Sequence, residues 1–274
     1  MSLVMSEMAR ADGTSSKQAR RKVKKKEAAY HMYDEALALA LDTLSVDSMD
    51  HKAAYLAGVC HLQKRQGELA IKYLTSATTM APYNALYRNH LGLAYVHKKE
   101  WTLAVDEYMV ALEHATSTLK ADVLYNLGFA QEMLGREEEA LASYQHAVSS
   151  MPTHLTALNG LGNLLQKQGQ VEEAHYYYKK VLGINPLHPA SLYNQALAYQ
   201  LQGRLIEAVG SYSKAAQLVP THVEAHYNLG VVLLELGIYG EAVTAFYNTL
   251  ILRPTMFEAW LNLGAYRARE QLPH

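Results

Sequence analysis

The sequence predicts an all-α solenoid of stacked antiparallel helix pairs, and three observations carry that prediction. Small residues recur at Gly58, Gly92, Gly128, Gly162, Ala196, Gly230 and Gly264, at spacings of 34, 36, 34, 34, 34 and 34 residues. Twelve positions after each of the first six stands an alanine: Ala70, Ala104, Ala140, Ala174, Ala208 and Ala242. Four positions further comes a large apolar or aromatic residue, Leu74, Tyr108, Tyr144, Tyr178, Tyr212 or Phe246. A fixed period of this length marks an architecture whose units bury their apolar faces only against their neighbours.

Along the chain, residues 1–16 read as a disordered tail and 17–50 as a degenerate basic repeat that caps the array. In that cap the segment YDEALALALDTL supplies a second helix, and the lysine-rich stretch before it the first. Six repeats follow, over 51–84, 85–120, 121–154, 155–188, 189–222 and 223–256. In each, the small residue falls near the middle of a helix A and the alanine near the start of a helix B, so that the two backbones approach closely. The aromatic then fills the space toward the next repeat. Proline, which has no N–H to donate, stops helix B at Pro82, Pro152, Pro186, Pro220 and Pro254, with Thr116 as the exception. Gly135, Gly169, Gly203 and Gly237 fall in the turn from A to B, where a helix terminus favours glycine. The two extra residues before Ala121 are expected to lengthen one turn between repeats. Residues 257–274 form a lone helix A that caps the far end.

This order of small, small, aromatic and proline at a period of 34 resembles the tetratricopeptide repeat over about residues 51–274. The resemblance implies a superhelix with a concave groove lined by the A helices and a non-catalytic role in binding other proteins.

Composition narrows the function. Half of the 274 residues are apolar and the net charge is −1, as in a soluble protein able to bury a core. Residues 1–26 carry eight basic and two acidic side chains; the remainder carries seventeen and twenty-four. An acidic body of that kind is a poor sheath for nucleic acid, whose sites need clustered Lys and Arg. The basic run from Lys17 to Lys26 reads either as a solvated cap or as an import signal, a nucleic-acid tether or a patch for anionic membranes. No run of about 18 apolar residues and no secretory leader is legible, so a cytoplasmic protein without a membrane span is expected.

Signatures of catalysis and of cofactors are missing from the sequence, and no small-molecule substrate is evident. Gly160-Leu161-Gly162 lacks the third glycine and the preceding strand of a dinucleotide fingerprint. Cys60 stands alone and reads as a buried small residue. His154, His188 and His222 recur in phase, but equivalent residues of adjacent repeats lie about 10 Å apart, too far to share a metal. They read as polar residues at exposed repeat boundaries. Neither cofactor nor metal is expected.

The candidate ligand face lies around the helix A glycine. Two positions before the small residue stand His90, Asn126, Asn194, Asn228 and Asn262, with Leu56 and Gly160 in the other copies. One position earlier Tyr125, Tyr193 and Tyr227 recur, and Asn163 joins the same band. An asparagine amide can pair with the N–H and C=O of one peptide unit, so a row of them can hold an extended chain. The row is similar to the asparagine ladder in the repeat domain of O-linked N-acetylglucosamine transferases. The alternative is that these asparagines bond one helix to the next.

Three functional readings follow. The first is an interaction scaffold that binds an extended peptide or partner protein in the groove. The second is the substrate-recruiting repeat domain of a larger enzyme such as a glycosyltransferase. The third is an assembly scaffold, otherwise a monomer, that stacks on itself through its ends by way of Phe257, Trp260 and Tyr266 of its last helix.

Overall fold

A computed structural model describes residues 31–270 as two compact units, one ending at Arg136 and one beginning at Glu137. The tail over 1–16, the basic segment with its expected helix and the side chain of Tyr266 lie outside the described residues. Every regular element among the described residues is an α-helix.

The first unit holds a helix over 31–46 (α1), α2 (His51–Gln63), α3 (Gly67–Met80), α4 (Ala85–His97), α5 (Trp101–His114) and α6 (Ser117–Met133). The second holds α7 (Glu137–Ser150), α8 (Leu155–Lys167), α9 (Val171–Ile184), α10 (Pro189–Leu201), α11 (Leu205–Leu218), α12 (Val223–Glu235), α13 (Tyr239–Leu252) and α14 (Phe257–Glu270). Within each unit consecutive helices pack together, and A helices of successive repeats also touch, α2 with α4, α4 with α6 and α8 with α10.

The glycines serve side chains more than backbones. A Cβ placed on Gly92 would lie 2.5 Å from Cε1 of Tyr108, one on Gly162 2.6 Å from Cε1 of Tyr178, and one on Gly230 2.8 Å from Cε1 of Phe246. Leu74 covers Gly58 in the same way, its Cγ at 2.6 Å. Each glycine is therefore a socket for the large residue sixteen positions on. The same ring also reaches the next helix A: Tyr108 packs with Val123, Leu127 and Ala130 of α6, and Phe246 with Ala259 and Leu263 of α14. One buried side chain thus joins both helices of its repeat to the following one, so that burial of apolar area couples neighbours.

Polarity at the ring tip varies between copies. The Tyr178 hydroxyl lies 2.9 Å from Oδ1 of Asn163 and 3.0 Å from Oε1 of Gln166, and that of Tyr212 donates to Oε1 of Gln200. In the earlier repeat Leu93 and Val96 occupy the places of Asn163 and Gln166, and the buried Tyr108 hydroxyl has no partner. An unmet buried hydroxyl costs on the order of 1–3 kcal/mol. Tyr108→Phe is therefore expected to leave the urea midpoint unchanged or raise it, whereas Tyr178→Phe lowers stability by about 0.5–1.5 kcal/mol. A marked loss in Tyr108→Phe would count against this packing.

The turns from A to B are built on a left-handed residue. Gly135, Gly169, Gly203 and Gly237 have φ between 71° and 81°, while the first two turns use Arg65 and Lys99 at 58° and 62°. The two inserted residues lengthen no turn, contrary to expectation. Together with two residues that the linker before it gives up, they extend α6 at its N-terminus, so that it has 17 residues where the other A helices from α2 to α12 have 13. Without a proline at Thr116, the stretch Ser-Thr-Leu-Lys continues the helix.

The recurring histidines are helix caps, a role beyond the exposed boundary that their spacing suggested. His154, His188 and His222 accept through Nδ1 from the backbone N–H of Ala157, Ser191 and Ala225, as the carboxylate of Asp50 and the amide oxygen of Asn84 do at the same place in earlier repeats. An accepting Nδ1 carries no proton, so protonation there abolishes the cap and sets a cation against the positive helix end. Burial holds the His188 imidazole below its ordinary value. The unfolded chain then binds the proton more tightly, and the stability contributed above about pH 6.5 is lost as pH falls through the folded value. The urea midpoint is expected to be lower at pH 5.5 than at 7.5. In His188→Asn, which keeps a cap that does not titrate, the difference shrinks.

Candidate functional site

The A helices carry the predicted band on a partly buried surface, and each unit presents its own portion. In the first, His90 on α4 lies 3.0 Å through Nδ1 from the carbonyl of Leu86, which can only accept, so this nitrogen carries the proton and Nε2 is the acceptor. Its ring stands edge-on to Tyr55, which stacks on Tyr87 at 4.4 Å. Burial pushes the His90 imidazole down, which keeps it neutral near pH 7. Asn126 donates through Nδ2 to Oδ1 of Asn89 at 3.0 Å, tying α6 to α4. Tyr125 beside it is half-buried, and desolvation raises its phenol.

In the second unit the amides form a connected chain. Ser191 donates to Oδ1 of Asn159 at 2.7 Å, and Asn194 donates through Nδ2 to Oδ1 of both Asn159 and Asn163, at 3.2 and 2.7 Å. These bonds tie α10 to α8. Asn228 on α12 donates to the Tyr193 hydroxyl at 3.0 Å, and the Tyr193 ring stacks on His222 at 4.8 Å. Tyr227 inclines against Phe246 at 5.9 Å, and Asn262 sits half-buried on α14.

An amide nitrogen has two hydrogens, so a count of donors decides what each asparagine can still offer. Asn194 spends both on Asn159 and Asn163 and retains only its oxygen. Asn126 spends one and keeps a hydrogen as well as the carbonyl oxygen, whereas Asn228 donates to Tyr193 and also reaches the Tyr212 hydroxyl, which leaves its oxygen. The sequence places asparagines in phase on the A helices. The helix-to-helix bonds run to Asn163 and Tyr193 of the band and to Asn89, Asn159 and Ser191 beside it, and only their distances show them.

A further cleft of about 420 Å³ in the second unit had no sequence signal. It lies between α11 and α13 above α12, with Leu229 and Leu233 in its floor and Gln217, His226 and Glu241 among its lining residues. Ala216 and Ala245 make the space: other repeats carry Leu182 or Leu112 at the first position and Tyr177 or Tyr73 at the second. Cys60 is buried, and burial raises its thiol out of the reactive range. Among the described residues no three His, Cys, Asp or Glu side chains are grouped to hold a metal ion, and no helix is long and apolar enough to cross a membrane.

Comparison with known proteins agrees with this architecture. Residues 121–154 and 31–85 match two family models described as tetratricopeptide repeat, and residues 167–249 match one described as anaphase-promoting complex, cyclosome, subunit 3. The chain is 31% identical over 134 residues to superkiller complex protein 3 of Mus musculus, covering 47% of this chain and 8% of that protein. It is 26% identical over 114 residues to anaphase-promoting complex subunit 6 of Arabidopsis thaliana, covering 40% and 21%. The chain spans 26% or less of the length of these curated relatives and of a similar one from Caenorhabditis elegans.

Among solved structures, the APC/C hetero-tetramer Cut9–Hcn1 is similar with a TM-score of 0.73 at 18% identity, over 85% of this chain and 46% of that one. YrrB, described as a TPR protein with an unusual peptide-binding site, gives 0.52 at 22% identity, over 68% and 95%. At these identities the likeness establishes the fold. The chain carries tetratricopeptide repeats in an all-α helical-repeat architecture.

Proposed function

We propose that the chain is a scaffold that holds an extended peptide or a segment of a partner protein along the face of the A helices within a unit. The donor count at Asn126 carries this reading: it keeps one N–H and one C=O, the pair needed to meet a peptide unit in both directions, and Asn228 keeps its C=O. Tyr193 and Tyr227 add apolar area beside Asn228 at low entropic cost. The likeness to the transferase ladder then extends most fully to Asn126, and not to Asn194, whose hydrogens are committed within the protein. The relatives named as subunits of complexes support a role in assembly.

The test selects binding peptides from a displayed random library on the intact chain and measures affinity and stability together. Asn126→Ala is expected to lose about 0.5–1.5 kcal/mol of binding with little change in melting. Asn194→Ala, which breaks two internal bonds, is expected to lower stability first. Unchanged affinity in Asn126→Ala, with a lowered melting temperature, would sink the peptide-holding reading.

A further inference from the structure

We propose that the cleft between α11 and α13 receives an apolar side chain, leucine, phenylalanine or tyrosine, of a partner polypeptide that carries a lysine or arginine next to it. Its walls, α11 and α13, and its floor, α12, all belong to complete repeats of the second unit. The cleft is lined by other residues than the asparagine and tyrosine band and does not rest on the reading given for that band.

The repeats themselves show what such a space holds. Three positions define it, one on each B helix and one on the A helix between them; at the cleft they are Ala216, Ala245 and His226. One repeat earlier the same positions carry Leu182, Ser211 and Leu192, and Leu182 packs on the buried Leu192. One repeat before that they carry Val148, Tyr177 and Leu158, the last fully buried. In the first unit they carry Thr78, Glu107 and Arg88, and an ion pair takes the place, Arg88 donating from Nη1 to Oε2 of Glu107 at 2.8 Å. At the cleft alone both B helices offer alanine. The His226 ring is held at one end, its Nε2 3.1 Å from the Pro220 carbonyl. What remains is a space of about 420 Å³ over Leu229 and Leu233, within the range of roughly 300–1,000 Å³ typical of ligand pockets. A side chain that the other repeats supply from within is missing here, and burying one from outside is favourable on the same apolar floor.

The rim decides what stands beside that side chain. Among the described residues no Lys or Arg lines the cleft, and its one carboxylate, Glu241, forms no ion pair. The counterpart one repeat earlier, Glu207, is paired with Arg204 at 2.7 Å. The Pro220 carbonyl can only accept, so Nε2 of His226 carries the proton and Nδ1 of the neutral ring is a further acceptor. An unpaired carboxylate and a ring acceptor beside an apolar floor favour a cation next to the anchor and disfavour a carboxylate there.

The probe is the acetylated and amidated hexapeptide Gly-Ser-Phe-Arg-Ser-Gly, titrated into the intact chain while methyl NMR follows Ala216, Leu229, Leu233 and Ala245. It is expected to shift these methyl groups saturably. Alanine in place of its phenylalanine is expected to weaken binding roughly tenfold or more, and glutamate in place of its arginine roughly three- to tenfold. Ala216→Leu, which restores the residue of α9, is expected to keep the melting curve and abolish the shifts. Glu241→Gln, at an exposed position, is expected to keep the fold and bind the arginine and glutamate probes alike. Absence of shifts at the cleft, equal binding of the phenylalanine and alanine probes, unchanged binding to Ala216→Leu, or a preference for arginine that survives Glu241→Gln overturns the proposal. So does 4-phenylbutylamine matching the peptide in affinity, which would give the cleft to a small amine. A dimer of the chain alone that Ala216→Leu dissolves in light scattering would give it to a second copy and overturn the proposal equally.

Discussion

Replacing Tyr178 with alanine is expected to cost about 3–5 kcal/mol of stability, the range for deleting a buried aromatic side chain. The ring is almost fully buried, lies on Gly162 of its own repeat and sends its hydroxyl to Asn163 and Gln166. Its loss leaves a cavity on α8 and takes the hydroxyl away from the amide oxygens of Asn163 and Gln166. Asn163 is also the acceptor of Asn194, so the disturbance reaches α10 of the next repeat. Urea denaturation checks this, with the second unit reporting the change. A loss below about 1 kcal/mol would mean that the ring is not the joint between repeats.

Adding one methyl group gives the converse result, with opposite signs at two equivalent glycines. Gly162→Ala places a Cβ 2.6 Å from Cε1 of the buried Tyr178 ring, and overpacking of this kind costs about 1–3 kcal/mol. Gly264→Ala meets nothing within 4 Å, and alanine gains about 1 kcal/mol over glycine in a helix interior. Melting temperatures of the two variants should move in opposite directions. A destabilised Gly264→Ala would show that this face of α14 is covered in the free chain, and a neutral Gly162→Ala that the ring can move aside.

The repeat was legible because its parts are local in sequence. A glycine, an alanine, an aromatic and a proline at fixed offsets state where helices run and stop, whatever surrounds them. The histidine caps were less legible. Asp50 and Asn84 are ordinary caps, but the imidazoles at the same position read as solvated until their Nδ1 distances were known. The inserted pair before Ala121 gave a length without a conformation, and the absence of proline there let α6 grow.

What the sequence determined by itself is the architecture, all-α helix pairs at a 34-residue period, with the asparagine and tyrosine band in phase on the A helices. Only the tertiary structure decided what those residues do. Whether an amide hydrogen of Asn194 faces a ligand or Asn159 depends on a residue 35 positions away, and whether Gly264 is filled depends on which helix lies over it. Period and propensity act within one helix and its neighbour in sequence. Hydrogen-bond partners and sockets are set by distances between helices, and those distances follow from how the buried rings pack.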